Sequence, residues 1–315
     1  MQKKLKKISI GFIGYGNMAT KRHQAIKTLK KYKTSVSYII DKKIKEDKSK
    51  KYFKSWNKII NIKTDLIIIS IQTNEVKKIP FLIFKNTKYL LIEKPISTDL
   101  NYLKKLNKFC AANKITLKTG YNLRFDNGLK MIDQLMSKKS VGKLYYVKIN
   151  YSNGTSRTNN NNIGSLFDIG CHSVNLLQWL LKTKNFSNYL TSIQKNEFMN
   201  GKKDDNGFVL MKYKKIAINL QFGFCSWKNT FELEIVGNKG YLRVDGLPKW
   251  GKQNISFGRR KYPSGYPYIK NWIYDNDLSF KNEMEYIFKN IFSNKFIKKN
   301  NDEGYQTVKC LKKIN

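Results

Sequence analysis

Arginine, acidic residues, cysteine and histidine are all scarce in this chain of 315 residues, and these scarcities argue against particular kinds of binding site. Only 6 of its 61 cationic residues are arginine, and 22 acidic residues leave a net charge of +39. Arginine is the residue that reads bases and clamps phosphates, so a surface of lysines is poorly suited to sequence-specific nucleic-acid recognition. Lysine, asparagine and isoleucine are enriched along the whole length. This pattern favours a compositional bias over a basic face, and we expect no specific nucleic-acid partner.

Metal centres and membrane spans also find little support in the sequence. The four cysteines lie far apart without a C-x-x-C pair, and His23 and His172 do not form a zinc motif by spacing. The longest largely apolar run, residues 66–71, is far shorter than the roughly 20 residues of a membrane helix. The basic and apolar start imitates a signal peptide but lacks a small-residue cleavage site, and it reads better as a first strand. We expect no metal, no membrane association and a cytoplasmic location.

Strand and helix signals alternate without a break over the first 121 residues. Apolar runs lie at residues 7–13, 35–40, 65–71, 88–93 and 115–121, and helical patterns lie at 17–32, 74–84 and 98–113. A continuous run such as DLIIISI is typical of a buried parallel strand. The alternation makes right-handed crossovers. The sequence therefore predicts the α/β class, with a doubly wound Rossmann domain with a parallel sheet over residues 1–121.

The pattern changes after residue 121. Helical patterns at 127–139 and 164–181 flank a strand at 143–152, strands follow at 189–198, 205–213, 216–225, 231–237 and 240–245, and amphipathic segments end the chain at 280–292 and 302–313. Closely spaced strands with helices on one side are typical of an α+β arrangement. The sequence predicts a second domain over residues 122–315, with an open, mainly antiparallel sheet and C-terminal helices.

A glycine-rich turn, GYGNMA, follows the first strand directly and opens the first helix. Gly14 permits the tight turn, and Gly16 lets the backbone approach a pyrophosphate at the helix N-terminus. Asp41 stands at the end of the second strand, where a carboxylate accepts hydrogen bonds from a ribose diol. The turn predicts NAD as the cofactor. Lys42 and Lys43 can attract a 2′-phosphate, which keeps NADP as the alternative.

A second motif, Glu93-Lys94-Pro95, closes the fifth strand of the alternating half. In an open parallel sheet the ligand crevice lies beyond the carboxyl ends of the strands, so Lys94 is expected near the nicotinamide. A lysine partly removed from water can exchange a proton with a substrate hydroxyl. The alternative is an ordinary surface cation. The predicted cofactor-binding residues are Gly14, Tyr15, Gly16, Asn17, Met18, Asp41, Ser70, Thr73, Glu93 and Lys94.

Asp168 and His172 lie four residues apart in the helical pattern at 164–181. With Leu176 they share one helix face, on the stripe expected to be buried. Burying both groups costs on the order of several kcal/mol unless they pair with each other or meet a polar ligand. The alternative is a structural Asp–His pair, but the cofactor domain before them favours a catalytic role.

The segments GFIGYGNMA, LLIEKPIS, GYNLRF and SLFDIGCHSVNLLQWLL, in this order, resemble the Gfo/Idh/MocA family of NAD(P)-dependent sugar oxidoreductases. The resemblance runs from residue 8 to about residue 292. It implies a Rossmann domain followed by an α/β domain whose open sheet often serves oligomerisation, and hence a homo-oligomer. It also implies that Lys94, Asp168 and His172 line a sugar site and are the catalytic residues.

The resemblance implies hydride transfer between nicotinamide C4 and a carbinol carbon of a sugar. In the oxidative direction His172 takes the hydroxyl proton, Asp168 fixes its tautomer and Lys94 stabilises the developing alkoxide. The acid–base roles of Lys94 and His172 can be exchanged. Asn122 and Arg124 are expected near the sugar and cofactor, with packing of the domain hinge as the alternative.

Later segments, YSNGTSR, WKNTFELEIVGNKGYLRVDG and ISFGRR, look similar to a branch of the family found with polysaccharide and nucleotide-sugar genes. Arg157 and Arg260 can bind a pyrophosphate bidentately, which predicts a nucleotide-sugar substrate. The alternative is that they pack loops or serve the oligomer interface. The loop between Arg157 and Gly164 looks shorter than in that branch, and this departure concerns the substrate more than the cofactor.

Two other functions remain open from the sequence. An enzyme of the same fold can use bound NAD transiently to cleave a glycoside without net oxidation. A cofactor-loaded regulatory or binding protein without catalysis is the other possibility, and the Lys94, Asp168 and His172 set argues against it.

Overall fold

The computed structural model describes residues 6–49, 51–154, 163–196, 202–263, 268–293 and 302–315. The chain folds into two compact units. Unit 1 comprises Met1–Asn122 and Phe280–Tyr305, and unit 2 comprises Leu123–Ser279 and Gln306–Asn315. This division differs from the predicted domains, 1–121 and 122–315, because a C-terminal segment returns to unit 1.

A six-stranded parallel sheet forms the centre of unit 1. Its strands are β1 (Lys6–Ile13), β2 (Tyr32–Ile40), β3 (Tyr52–Phe53), β4 (Thr64–Ile69), β5 (Thr87–Ile92) and β6 (Thr116–Thr119). They are arranged in the order β3-β2-β1-β4-β5-β6, and every pairing is parallel. The order reverses between β1 and β4, which is the switch point where doubly wound folds bind ligands. The predicted α/β class with a doubly wound sheet is confirmed.

Four helices connect these strands. They are α1 (Asn17–Lys27), α2 (Thr73–Val76), α3 (Phe81–Phe84) and α4 (Leu100–Ala112). The single helix predicted at 74–84 is wrong, because Pro80 separates α2 from α3 and a proline disfavours helical backbone in the residue before it. Likewise, α1 ends at Lys27 instead of residue 32, since Tyr32 already begins β2.

Unit 2 is built on an eight-stranded sheet. Its helices and strands are α5 (Asn127–Ser137), β7 (Leu144–Ser152), a π-helical turn (Leu166–Gly170), α6 (Cys171–Leu180), β8 (Ser187–Gln194), β9 (Asn206–Tyr213), β10 (Ile216–Gly223), β11 (Thr230–Gly237), β12 (Gly240–Asp245), β13 (Gln253–Arg259) and β14 (Tyr268–Tyr274). The order is β14-β13-β12-β11-β7-β10-β9-β8, and only β7 and β10 pair in parallel. The mainly antiparallel sheet is confirmed.

One face of this sheet is covered and the other is open. Along β7 the side chains of Val147, Ile149 and Tyr151 are buried, whereas Lys148 between them is exposed. This alternation follows from the two-residue period of a strand. β13 and β14 were not predicted, and β14 is an edge strand whose side chains are mostly exposed, so it carries no apolar alternation to find.

The last two helices are α7 (Ser279–Ser293) and α8 (Glu303–Ile314). Met284, Ile287 and Phe288 of α7 are fully buried in the same apolar cluster as the strands of unit 1. The apolar face of α7 therefore completes the core of unit 1, whereas the sequence pattern groups residues 280–292 with the second domain.

Candidate active site

The turn after β1 has the conformation that its glycines predict. Gly14 has a φ of +79°, and a Cβ at this position would lie 2.6 Å from the carbonyl oxygen of Ser70. A Cβ at Gly16 would meet no atom within 4 Å, so the turn is open at that position. Helix α1 begins at the next residue without a side-chain cap. An uncapped helix start beside an open turn suits the pyrophosphate of a dinucleotide.

The carboxylate of Asp41 is fixed beside this turn, directly after β2. It accepts the backbone N–H of Tyr15 at 2.7 Å and that of Lys43 at 2.8 Å. The neighbouring ammonium of Lys42 lies 3.2 Å from the carboxylate of Glu75, which partly neutralises its charge. The structure thus brings Asp41 to the glycine turn, in the place where a ribose hydroxyl is bound in this class of fold.

The residues after β4 adjoin the same edge of the sheet. The Ser70 backbone N–H donates to the carbonyl of Ile13 at 2.8 Å, and the Thr73 hydroxyl donates to the carbonyl of Pro95 at 3.1 Å. The hydroxyl oxygen of Ser70 is buried and has no hydrogen-bond partner among the described residues. Together with the open turn at Gly16, this unsatisfied buried hydroxyl fits a site that receives a polar cofactor.

Glu93 and Lys94 directly follow β5, at the carboxyl ends of the parallel strands. The Glu93 carboxylate accepts a hydrogen bond from Arg22 Nε at 2.5 Å, and Arg22 Nη1 donates to Glu283 of α7. Arg22 is 0% exposed. Sequence reasoning missed Arg22 and Glu283, because their pairing joins positions 261 residues apart. The half-buried Lys94 therefore follows a residue whose side chain is held by a buried ion pair.

In unit 2, Asp168 and His172 are both buried, at 8% and 7% exposure. Asp168 lies in the π-helical turn and His172 in the first turn of α6, so the regular helix predicted over 164–181 is corrected. A π-helical turn closes its hydrogen bonds over five residues, and such turns are frequent at functional sites. A Cβ at Gly170 would lie 3.3 Å from Phe222 of β10, so this glycine lets the turn pack closely on the sheet.

Asp204 holds the start of this helical segment. Its carboxylate accepts the Ser165 hydroxyl at 2.8 Å and the Leu166 backbone N–H at 2.6 Å, and its carbonyl accepts the Ser165 N–H at 2.8 Å. Gly164 has a φ of +75°, and a Cβ there would lie 2.0 Å from the Asp204 carboxylate. Sequence reasoning missed Asp204, and only the pairing of two distant segments reveals its role.

Arg124 is bound to the middle of α6. Its Nε donates to the side-chain oxygen of Asn175 at 2.7 Å, and its Nη2 donates to the Asn175 carbonyl at 3.1 Å. The Asn175 amide in turn donates to the Thr307 hydroxyl at 3.1 Å. Arg124 therefore fixes α6, whereas Asn122 lies in the short 3₁₀ turn Asn122–Phe125.

Arg260, one of the two arginines expected to bind a pyrophosphate, is not brought to His172. Arg260 lines a 720 Å³ pocket with Tyr146, Glu234 and Arg243. Tyr146 is five residues from Tyr151 on β7, so the two rings point to opposite faces of the sheet, and His172 contacts Tyr151. The structure thus places Arg260 on the open face. Arg157 lies outside the described residues.

An aromatic and cationic cluster lies beside His172 and was also missed. The His172 ring is 5.6 Å from the Tyr151 ring, and Lys249 Nζ donates to the Tyr151 hydroxyl at 2.8 Å. Lys249 also lies over the Trp250 ring, with 4.2 Å between its Nζ and the ring centroid. Nothing in the sequence distinguishes Lys249 from the other lysines, so only the fold could show this contact.

No group of three or more histidine, cysteine or carboxylate side chains in the described part of the chain can hold a metal ion. None of the helices described is both long and apolar enough to cross a bilayer.

Comparisons with known proteins agree with this geometry. Residues 8–121 match the oxidoreductase family's NAD-binding Rossmann fold, and residues 134–312 match its C-terminal alpha/beta domain. An inositol 2-dehydrogenase/D-chiro-inositol 3-dehydrogenase of Lacticaseibacillus casei is 24% identical over 173 residues, which are 52% of this chain and 48% of the relative. The chain thus spans about half the length of this curated relative.

Two solved structures share the fold over nearly the whole chain. The UDP-N-acetylglucosamine 3-dehydrogenase of Acidithiobacillus ferrooxidans has a TM-score of 0.79 at 14% identity, covering 98% of this chain and 96% of that one. A 3-ketoreductase of Actinomadura kijaniata in complex with NADP and TDP-benzene has a TM-score of 0.81 at 12% identity, covering 98% and 97%. With both domain matches in place, the chain belongs to the Gfo/Idh/MocA family of oxidoreductases and carries its NAD-binding Rossmann domain.

Proposed function

We propose that the chain is an NAD(P)-dependent dehydrogenase that transfers hydride between nicotinamide and a carbinol carbon of a sugar or nucleotide sugar. One observation carries the proposal. Asp168 and His172 are buried four residues apart on one helical segment, in a chain whose other unit is an NAD-binding domain. Buried ionisable groups of this kind are costly for stability and are characteristic of acid–base sites.

The chain's own residues supply proton handling and orientation. The nicotinamide ring, when bound, accepts or donates the hydride. In the oxidative direction His172 takes the hydroxyl proton, and Asp168 holds the tautomer of the imidazole that can do so. Lys94 stabilises the negative charge that develops on the hydroxyl oxygen. The reverse assignment, in which Lys94 carries the proton, is the alternative within this mechanism.

The cofactor is held by the glycine turn and Asp41. The fixed carboxylate of Asp41 accepts hydrogen bonds from a ribose diol and repels a 2′-phosphate, which favours NAD. Lys42, whose ammonium contacts Glu75, offers less to a 2′-phosphate than its position in the sequence indicates. NADP remains the second cofactor of this proposal.

The substrate is a sugar or nucleotide sugar. The relatives are named for an inositol, which is an uncharged polyol, and for a UDP-linked amino sugar. Arg260 lines the pocket on the open face of the sheet, so the proposed substrate site does not include it. We retain Arg157 as the proposed anion contact because it precedes the helical segment of Asp168. Association of the open face into a homo-oligomer is also part of the proposal.

The decisive experiment compares three variants by NADH formation at 340 nm over a panel of sugars, inositols and nucleotide sugars. Lys94→Ala should abolish turnover and leave dinucleotide binding within roughly tenfold, because transition-state stabilisation is lost. His172→Asn should lower kcat by about 10²–10⁴. Lys88→Ala, at the other end of β5, is the matched control and should retain normal activity.

Other outcomes identify the competing functions. Near-normal kcat in Lys94→Ala or His172→Asn would contradict the mechanism. Glycoside cleavage without net NADH formation would indicate an enzyme that retains and regenerates its cofactor. Tight dinucleotide binding without turnover of any substrate in the panel would indicate a regulatory protein.

A further inference from the structure

The side chain of Tyr151 contacts both the imidazole of His172 and the ammonium of Lys249. The centroids of the Tyr151 and His172 rings are 5.6 Å apart with an interplanar angle of 51°. Lys249 Nζ donates to the hydroxyl of the same tyrosine at 2.8 Å. All three residues belong to unit 2, and Tyr151 is only 3% exposed.

Two aromatic contacts restrict Tyr151 further. Its ring meets Phe231 of the neighbouring strand β11 edge to face, with 5.7 Å between centroids and an angle of 77°. Trp250 lies at 5.7 Å with an angle of 58°. The edge-to-face contact with Phe231 has a preferred geometry, so it limits rotation of the Tyr151 ring as well as its position. The hydroxyl bond to Lys249 then fixes the remaining end of the side chain.

Lys249 is itself held in place. It lies in the 3₁₀ turn Pro248–Trp250, between β12 and β13. Its ammonium is 4.2 Å from the centroid of the Trp250 ring and 5.3 Å from that of Tyr151. Lys249 is exposed, but the two cation–π contacts and the charged hydrogen bond restrain its ammonium at the Tyr151 hydroxyl.

We propose that Tyr151 and Lys249 are positioning residues for His172: Lys249 anchors the hydroxyl of Tyr151, and the ring of Tyr151 fixes the orientation of the imidazole. The catalytic consequence rests on the proposed function, because it requires His172 to exchange a proton with the substrate. Proton transfer demands close geometry, and a displacement of about 1 Å can reduce a rate roughly a hundredfold.

The first test measures the NMR signal of the His172 imidazole and needs no substrate. The chain has two histidines, so protein labelled with [13Cε1]histidine gives two ring signals, and the His172→Asn variant identifies the signal of His172. We expect Tyr151→Phe and Lys249→Met to shift or broaden the His172 signal, because the ring that shields it is released. The signal of His23, in unit 1, should stay in place.

A matched control exists on the same strand. Lys148 lies over the Tyr146 ring at 5.2 Å on the open face of β7, so Lys148→Met removes the same charge and the same type of contact away from His172. This variant should leave the His172 signal unchanged. Lys249→Arg retains the charge and a hydrogen-bond donor, and it should restore most of the wild-type spectrum.

The second test measures kinetics with the best substrate of the panel. Tyr151→Phe and Lys249→Met should each lower kcat about tenfold with little change in KM, because orientation of the base is lost and binding is retained. The double variant should be no slower than either single variant, since both act through one hydrogen bond.

The outcomes are distinct. If Tyr151→Phe and Lys249→Met leave the His172 signal as unchanged as the control Lys148→Met does, the proposal is overturned, even if the enzyme is active. Losses in kcat that multiply in the double variant would also overturn it, because Lys249 would then act independently of Tyr151. A shifted His172 signal supports the positioning, and if the protein then turns over no substrate, the proposed function fails instead.

Discussion

Replacement of Arg22 by methionine should destabilise unit 1 more than any change at a nearby surface position. The Arg22 side chain is 0% exposed, its Nε donates to Glu93 at 2.5 Å, and its Nη1 donates to the equally buried Glu283. Burial lowers the pKa of the guanidinium, but Glu283 and Glu93 raise it more, so Arg22 remains charged. Methionine fills a similar length without the charge and leaves the buried Glu283 carboxylate without its hydrogen-bonded cation.

The expected loss follows from this geometry. Removing one partner of a buried ion pair costs about 3–5 kcal/mol, because the other charge is left without compensation. For a unit of this size that corresponds to a decrease in Tm of roughly 6–20 °C. Burial raises the pKa of Glu283, although Arg22 lowers it. A carboxyl group whose pKa is raised in the folded state is protonated there first, and this favours folding at low pH. The loss in free energy of unfolding caused by Arg22→Met should therefore become smaller as the pH falls toward the ordinary pKa range of a carboxyl group.

Differential scanning calorimetry is the appropriate assay, because a chain of two units can show two transitions. Lys21→Met, an exposed neighbour on α1, is the control and should change stability by less than about 0.5 kcal/mol. The double variant Arg22→Met/Glu283→Met should recover much of the loss, since the buried carboxylate is also removed. A loss below about 1 kcal/mol for Arg22→Met at neutral pH would refute this reasoning.

Three further predictions concern other positions. Asp41→Ala should weaken NAD binding much more than NADP binding in calorimetric titration, and equal weakening would remove Asp41 from the ribose site. Gly164→Ala should lower stability by about 1–3 kcal/mol in urea unfolding and lower kcat, because its φ is +75° and the new Cβ would meet the Asp204 carboxylate; wild-type behaviour would contradict this. Burial raises the pKa of Cys110 to about 12 and that of Cys310 to about 11, so both thiols should react slowly with a disulfide reagent at pH 8 until urea is added.

The parts of this protein that follow local rules were accessible from the sequence. The β-branched run of β4 predicted a buried parallel strand, because its short length and β-branched composition are typical of a strand buried on both faces. The glycines at 14 and 16 predicted the turn, since its backbone needs a positive φ at Gly14. The position of Asp41 beside the turn was also predictable, because the carboxyl ends of neighbouring parallel strands meet at one edge of the sheet.

The parts that depend on distant pairing were not accessible. Asp204 and Lys249 are ordinary polar residues until the chain folds them against Ser165 and Tyr151. The π-helical turn at Asp168 has no period that distinguishes it from an α-helix in so short a segment. Arg260 is a further example: the rarity of arginine suggested a ligand contact, and only the fold showed that Arg260 lines the pocket on the open face of the sheet.

The return of residues 280–305 to unit 1 has a consequence for synthesis on the ribosome. A nascent chain gains its N-terminal domains first, but the sheet of unit 1 cannot bury its apolar face until Met284 and Phe288 have emerged. Nearly all of unit 2 is therefore made before unit 1 is complete. Arg22 has no Glu283 to pair with until that point of synthesis. The cofactor-binding unit is first in the sequence, yet its core is complete only after most of unit 2 has been made, so a fragment ending at residue 122 lacks part of its own core.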